Sequence, residues 1–151
     1  TFNTLNIFDL FKEAEFQPLM NAITDKVKKY SRAYGVDEHN IKQDHAWLNL
    51  AHPGDYQEFH IHSRSHFSIV YYIDVPINSG SIHFKNHRSF FDMFSMDTNN
   101  LELPGLGAFC HQPLSHELLI FRSYLPHMVD VNRSDKDRIS LSANFIVENN
   151  F

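Results

Sequence analysis

His60 and His62 stand two residues apart, and His127 follows 65 residues after the second. On a strand, residues at i and i+2 project to the same side, so two imidazoles at this spacing reach one ion. A third imidazole from a distant strand would close one face of the coordination sphere and leave positions open for chemistry. Eleven residues beyond His127 come Arg138-Ile139-Ser140. An arginine and a serine on one strand face make a fork that holds a carboxylate by charge-assisted hydrogen bonds. Metal chemistry beside an acidic small molecule is the reading these positions suggest. Each has a plainer competitor. His-x-His alone is also the wet face of an edge strand, and Arg138 alone is also a surface partner for Asp135 or Asp137.

Around His60 the alternation matters. Glu58, His60 and His62 would share one face of a strand over Tyr56–His62, with Phe59 and Ile61 on the other. Three ionisable side chains on one face are costly unless they meet water, a partner or a metal. The same alternation runs through Arg138–Val147, with Arg138, Ser140, Ser142 and Asn144 opposite Ile139, Leu141, Ala143 and Phe145. Further strands are expected at Ala46–Leu50, Phe67–Asp74, Ser81–Lys85, Leu118–Phe121 and His127–Val131, between clusters of Pro, Gly, Asn and Asp. Upstream, Phe16, Leu19, Met20, Ile23, Val27 and Tyr30 recur at helical steps, which predicts a helix within Phe8–Tyr34. Pro18 suits its first turn and Gly35 its end. Arg88–His116 is irregular and reads as a long insertion, a lid or substrate loop, with a disordered excursion as the competing reading. The expected architecture is therefore mainly β with an N-terminal helix: one domain, with residues 1–45 as a helical buttress and 46–147 as a barrel core.

Composition narrows the function classes. At 151 residues the chain has room for one domain with a real core. A net charge of −5 and the lack of a dense Lys/Arg cluster argue against direct nucleic-acid binding. No apolar run approaches a membrane span, and no signal-peptide pattern opens the sequence. The single cysteine, Cys110, rules out an internal disulfide framework and fits a reducing, cytoplasmic setting. Of the eleven histidines, His39, His45, His52, His83, His87, His111 and His116 have no spacing that singles them out.

Taken in order, several segments resemble a known family, the iron(II)/2-oxoglutarate-dependent dioxygenases, specifically small bacterial and phage members allied to prolyl hydroxylases. The resemblance covers roughly Trp47 to Phe145. It rests on Trp47-Leu48-Asn49, on Gly54 leading into His60-Ile61-His62, and on Ser68-Ile69-Val70-Tyr71-Tyr72-Ile73. It continues through Ser79-Gly80-Ser81-Ile82-His83-Phe84, Leu119-Ile120-Phe121, Pro126-His127 and Arg138-Ile139-Ser140. The resemblance implies a double-stranded β-helix, a jelly-roll or cupin-like barrel with the metal in its open mouth. It implies that His60 and His127 hold Fe(II), and that Tyr72 and Arg138 hold the distal carboxylate of 2-oxoglutarate with Ser140 beside them. The implied activity is oxidative decarboxylation of 2-oxoglutarate coupled to hydroxylation of an unknown peptidyl or small-molecule substrate. Trp47, Asn49 and the Arg88–His116 insertion would then be pocket walls.

The chain departs from that family at His62, where most members carry Asp or Glu. His62 as a true third ligand is the favoured account; Glu58 as a carboxylate ligand from the same strand and His62 as a non-ligand are the others. A rival resemblance is to the cupins, through Gly54, five intervening residues and His60-x-His62. A cupin would bind substrate directly at a three-histidine metal and need no 2-oxoglutarate. Its usual later Glu is replaced by His66, and its Pro-x-Gly by Ser123-Tyr124-Leu125-Pro126. A non-catalytic β-barrel binding module is the third possibility.

Overall fold

The computed structural model describes residues 1–5, 7–85 and 108–148. In chain order they form β1 (Phe2–Asn3), α1 (Gln17–Arg32), β2 (Ile41–Ala51), β3 (Gln57–His60) and β4 (Phe67–Asp74). Then follow β5 (Ile82–Lys85), β6 (Ala108–His111), β7 (Leu118–Arg122), β8 (His127–Val129) and β9 (Arg138–Val147). A larger sheet has the order β1-β2-β9-β4-β7 and a smaller one β3-β8-β5-β6.

The alternation in β9 decides how these layers stack. Leu141, Ala143 and Phe145 are fully buried and pack with Met20, Ile23 and Val27 of α1, together with Leu10, Phe11, Ile41, Phe67 and Ile69. The helix therefore covers the outer face of the larger sheet. On the inner face, Arg138, Ser140, Ser142 and Asn144 are also buried, but they look toward the smaller sheet. Between the sheets a second apolar cluster of Ile82, Phe84 and Phe121, with Val70, Leu119, Leu125 and Val129, closes one part of the sandwich. The rest of the gap holds a cavity lined by both polar and apolar side chains.

Expected and observed elements agree for β4 and β9 and differ at instructive places. The helix takes up only Gln17–Arg32 of the expected Phe8–Tyr34 segment, with Pro18 in its first turn, where the missing N–H costs nothing. The preceding segment is held instead by Asp9, whose carboxylate accepts from the backbone N–H of Phe11 and of Ala46 on β2. Strand β2 starts at Ile41 because β9 pairs with it as far as Ile41↔Val147, across a bulge between Gln43 and His45. Strand β6, within the segment expected to be an insertion, pairs with β5 from Lys85↔Ala108 to Ile82↔His111. Residues 88–107 of that insertion lie outside the described residues.

Candidate active site

His60 and His127 are direct partners in the β3–β8 ladder, which brings their ring centroids to 4.2 Å. His62, the last residue of the expected Tyr56–His62 strand, lies just past the end of the observed β3. Its backbone N–H donates to the Ser123 carbonyl at 2.9 Å, and its ring sits 5.2 Å from each of the other two. One ligand atom from each of the three lies within 4.8 Å of the others. The tautomers follow from the neighbours. His60 Nδ1 is 2.8 Å from the Glu58 carbonyl and His127 Nδ1 is 2.9 Å from the Leu125 carbonyl. A carbonyl only accepts, so each Nδ1 carries the hydrogen and each Nε2 keeps a free lone pair.

Electrostatics favour the same state. Burial is the main cause that pushes both His62 and His127 down to about 4, with the neighbouring imidazoles adding to it. Apolar and aromatic walls supply that burial: Phe121 lies 4.8 Å and Phe84 5.9 Å from His127, and Trp47 lies 6.0 Å from His62. Three imidazoles whose ligand atoms lie within 4.8 Å of one another, with Nε2 left free on His60 and His127, are a donor set that fits iron(II). Glu58 does not join them. Its side chain is exposed, and its contribution is the main-chain carbonyl that orients His60.

A cavity of about 310 Å³ opens between the sheets beside this cluster. His60, His62 and His127 line one part of it, and Tyr72, Arg138 and Ser140 also face it, as do Trp47 and Asn49. Arg138 is 5% exposed, and no ion pair satisfies it among the described residues. Asp137, a sequence-level partner for it, pairs with His52 instead, at 2.8 Å. The guanidinium donates to the Ser79 carbonyl, and burial lowers its pKa from the ordinary value. Burial raises the Tyr72 phenol well above its usual range, so it remains an O–H donor. Gly80 permits the approach of the turn to Arg138. Its φ is +97°, and an added Cβ would sit 2.5 Å from the Asp130 carbonyl oxygen and 3.1 Å from Arg138 Nη1.

Some lining residues escape sequence reasoning. Ser142 was visible on the polar face of β9 but carried no assigned role. Asn3 and Leu5, at and after β1, also face the cavity. A two-residue strand gives no periodic signal. Of the unassigned histidines, His45, His52, His83 and His111 each lie against a carboxylate, an ordinary structural use.

The fold and cavity define a double-stranded β-helix with a three-histidine centre. Residues 45–144 match the family model described as "Putative 2OG-Fe(II) oxygenase", and the chain belongs to that family. The sequence has no significant match among curated proteins. Among solved structures it is similar to SnoK, a non-haem alpha-ketoglutarate-dependent carbocyclase of nogalamycin biosynthesis, at TM-score 0.66 and 10% identity, covering 91% of this chain and 61% of that one. It is similar to EvdO2 from Micromonospora carbonacea var. aurantiaca complexed with 2-oxoglutarate, at TM-score 0.57 and 15% identity, over 92% and 62% of the two chains. A third is a 2OG-Fe(II) oxygenase family oxidoreductase from Burkholderia pseudomallei, at TM-score 0.57 and 13% identity. That match covers 72% of this chain and 46% of that one, so the chain spans about half the length of that protein. At these identities the likeness concerns the fold.

Proposed function

We propose that this chain is an oxygenase that couples oxidative decarboxylation of 2-oxoglutarate to hydroxylation of a substrate C–H bond. One observation carries the reading: a buried arginine with no carboxylate partner among the described residues shares its cavity with three converging imidazoles. His60 and His127 would hold Fe(II) through Nε2, with His62 as the third imidazole ligand. Iron bound there supplies the activation of dioxygen. Arg138, Tyr72 and Ser140 bind the far carboxylate of 2-oxoglutarate and so orient its keto-acid end toward the histidines. Trp47, Phe84 and Phe121 exclude water from the metal side and keep His62 and His127 neutral. On this reading the chain is a single domain in which α1 buttresses the larger sheet of the barrel. The net charge of −5 disfavours direct nucleic-acid binding, and the exposed free thiol of Cys110 suits a cytoplasmic setting. No helix among the described residues is long and apolar enough to cross a membrane.

The test is an anaerobic titration of the metal-free protein with Fe(II) and then 2-oxoglutarate. The expected result is a weak visible charge-transfer band that needs both. Tight iron binding without the band would replace this reading with a cupin-like three-histidine site that does not use 2-oxoglutarate. Failure to bind iron would point to another metal or to a binding module.

A further inference from the structure

Asn49 sits opposite Ser140 in the β2–β9 ladder, and Trp47 opposite Ser142. The Trp47 indole N–H donates to Asn49 Oδ1 at 3.0 Å. Asn49 Nδ2 donates to Ser142 Oγ at 2.9 Å, with a longer contact of 3.5 Å to Ser140 Oγ. From this network we infer that Asn49 sets the hydrogen-bond polarity of the carboxylate pocket, and that Ser142 is a second hydroxyl donor to its ligand. The inference rests on the proposed use of 2-oxoglutarate.

Indole has a donor and no acceptor, whereas a carboxamide has one end of each kind. Trp47 therefore fixes which end of Asn49 is oxygen, because a flipped amide would set N–H against N–H. With Oδ1 held toward Trp47, the NH2 end faces the serines. Each serine oxygen then accepts from Asn49, and its hydrogen is left to donate. Among the described residues neither hydroxyl donates to a protein group. Ser140 and Ser142 are 7% and 9% exposed, and both line the cavity. Arg138 and the Tyr72 phenol face the same space as donors. The wall is thus made of donors, a polarity that suits a carboxylate and penalises a cation. Accepting from Asn49 also polarises each serine O–H, which strengthens its own donation. Asn49 acts through the serines and is a positioning residue.

A double-mutant cycle tests this on the full chain loaded with Mn(II), with 2-oxoglutarate affinity read by calorimetry. Asn49→Ala is expected to weaken 2-oxoglutarate roughly tenfold, as for loss of one charge-assisted hydrogen bond, and to leave Mn(II) affinity unchanged. In a Ser140→Ala/Ser142→Ala background the same change should add less than about twofold, because the groups it acts through are gone. Trp47→Phe keeps an aromatic ring near His62 and removes only the N–H. It should give a smaller loss that likewise vanishes in the double-serine background, and it carries the test if Asn49→Ala does not fold. Equal losses in both backgrounds, or no loss in the parent chain, would overturn the inference. If the parent chain takes up Mn(II) but not 2-oxoglutarate, the proposed function falls and this inference falls with it. If it binds 2-oxoglutarate but the cycle is additive, only the inference falls.

Discussion

Arg138 is 5% exposed with a backbone carbonyl as its hydrogen-bond partner, and a cation in that position is stabilised strongly by any carboxylate that enters. Replacing Arg138→Ala should cost 2-oxoglutarate about 2–5 kcal/mol of binding, the usual range for one half of a buried charge pair, while metal affinity stays unchanged. Calorimetry with the metal-loaded protein would show it, and an indifferent affinity would remove the anchor assignment. At the metal, His62→Asp should retain iron binding, since a carboxylate at this position still offers an oxygen to the same ion. A folded variant that no longer takes up Fe(II) would show that the longer reach of imidazole is required. Glu58→Ala should leave metal affinity alone. His60 and Arg138 lie on strands, where alternation is a property of the backbone itself, whereas His62 reaches the cluster from just past the end of β3. Glu58 was misleading for a related reason: alternation predicts a shared face only while the strand stays regular, and the β3–β8 register is irregular between Gln57 and His60.

The elements work as frames with two unlike faces. On β9 the apolar side anchors α1 and the polar side forms the floor of the cavity, so packing and chemistry are held by one rigid strand. The turn before β5 is the other frame, because it delivers the Ser79 carbonyl to Arg138. Gly80→Ala should lower stability by about 1–3 kcal/mol through backbone strain and should also weaken 2-oxoglutarate, since the new methyl crowds the guanidinium. Gly54→Ala is the control. Its φ is +89° with nothing within 4 Å of an added Cβ, so it should lower the melting temperature and leave ligand affinity intact. A Gly80 variant that matched Gly54 in both measurements would separate the turn from the anchor. The helix was legible from its stripe and from Pro18 in its first turn, whereas the hold on the segment before it was not. Asp9 satisfies backbone groups in two segments distant in sequence, and no local window contains both.

Across the whole molecule, the two imidazoles held neutral couple folding to pH. His62 and His127 titrate at about 4 in the folded chain. In the unfolded chain a histidine titrates near ~6.5. Above that value both states are neutral, and the stability is fully present. As pH falls toward 4 the unfolded chain takes up protons that the folded chain refuses, so stability is lost through this window. The metal-free protein should therefore melt at progressively lower temperature as pH falls from about 6.5 to 4 by scanning fluorimetry. Adding a divalent metal at neutral pH should raise the melting temperature, and acid should abolish that gain as protons compete for the imidazoles. A melting temperature that rises on acidification would contradict the neutral assignment.

The amino-acid sequence by itself determined which side chains share a strand face, where the helix stripe runs and which residue types are available for a metal and an anion. Those are local properties, set by the two- and 3.6-residue periods of the backbone. Only the tertiary structure decided that His60 pairs with His127, that Arg138 has no ion-pair partner among the described residues, that Glu58 turns away, and that Asn49 joins Trp47 to two serines. Each of these depends on strand register and on the packing of one sheet over the other. Register is fixed by hydrogen bonds and buried contacts between segments far apart in sequence, and a shift of one residue would turn every one of these side chains to the opposite face.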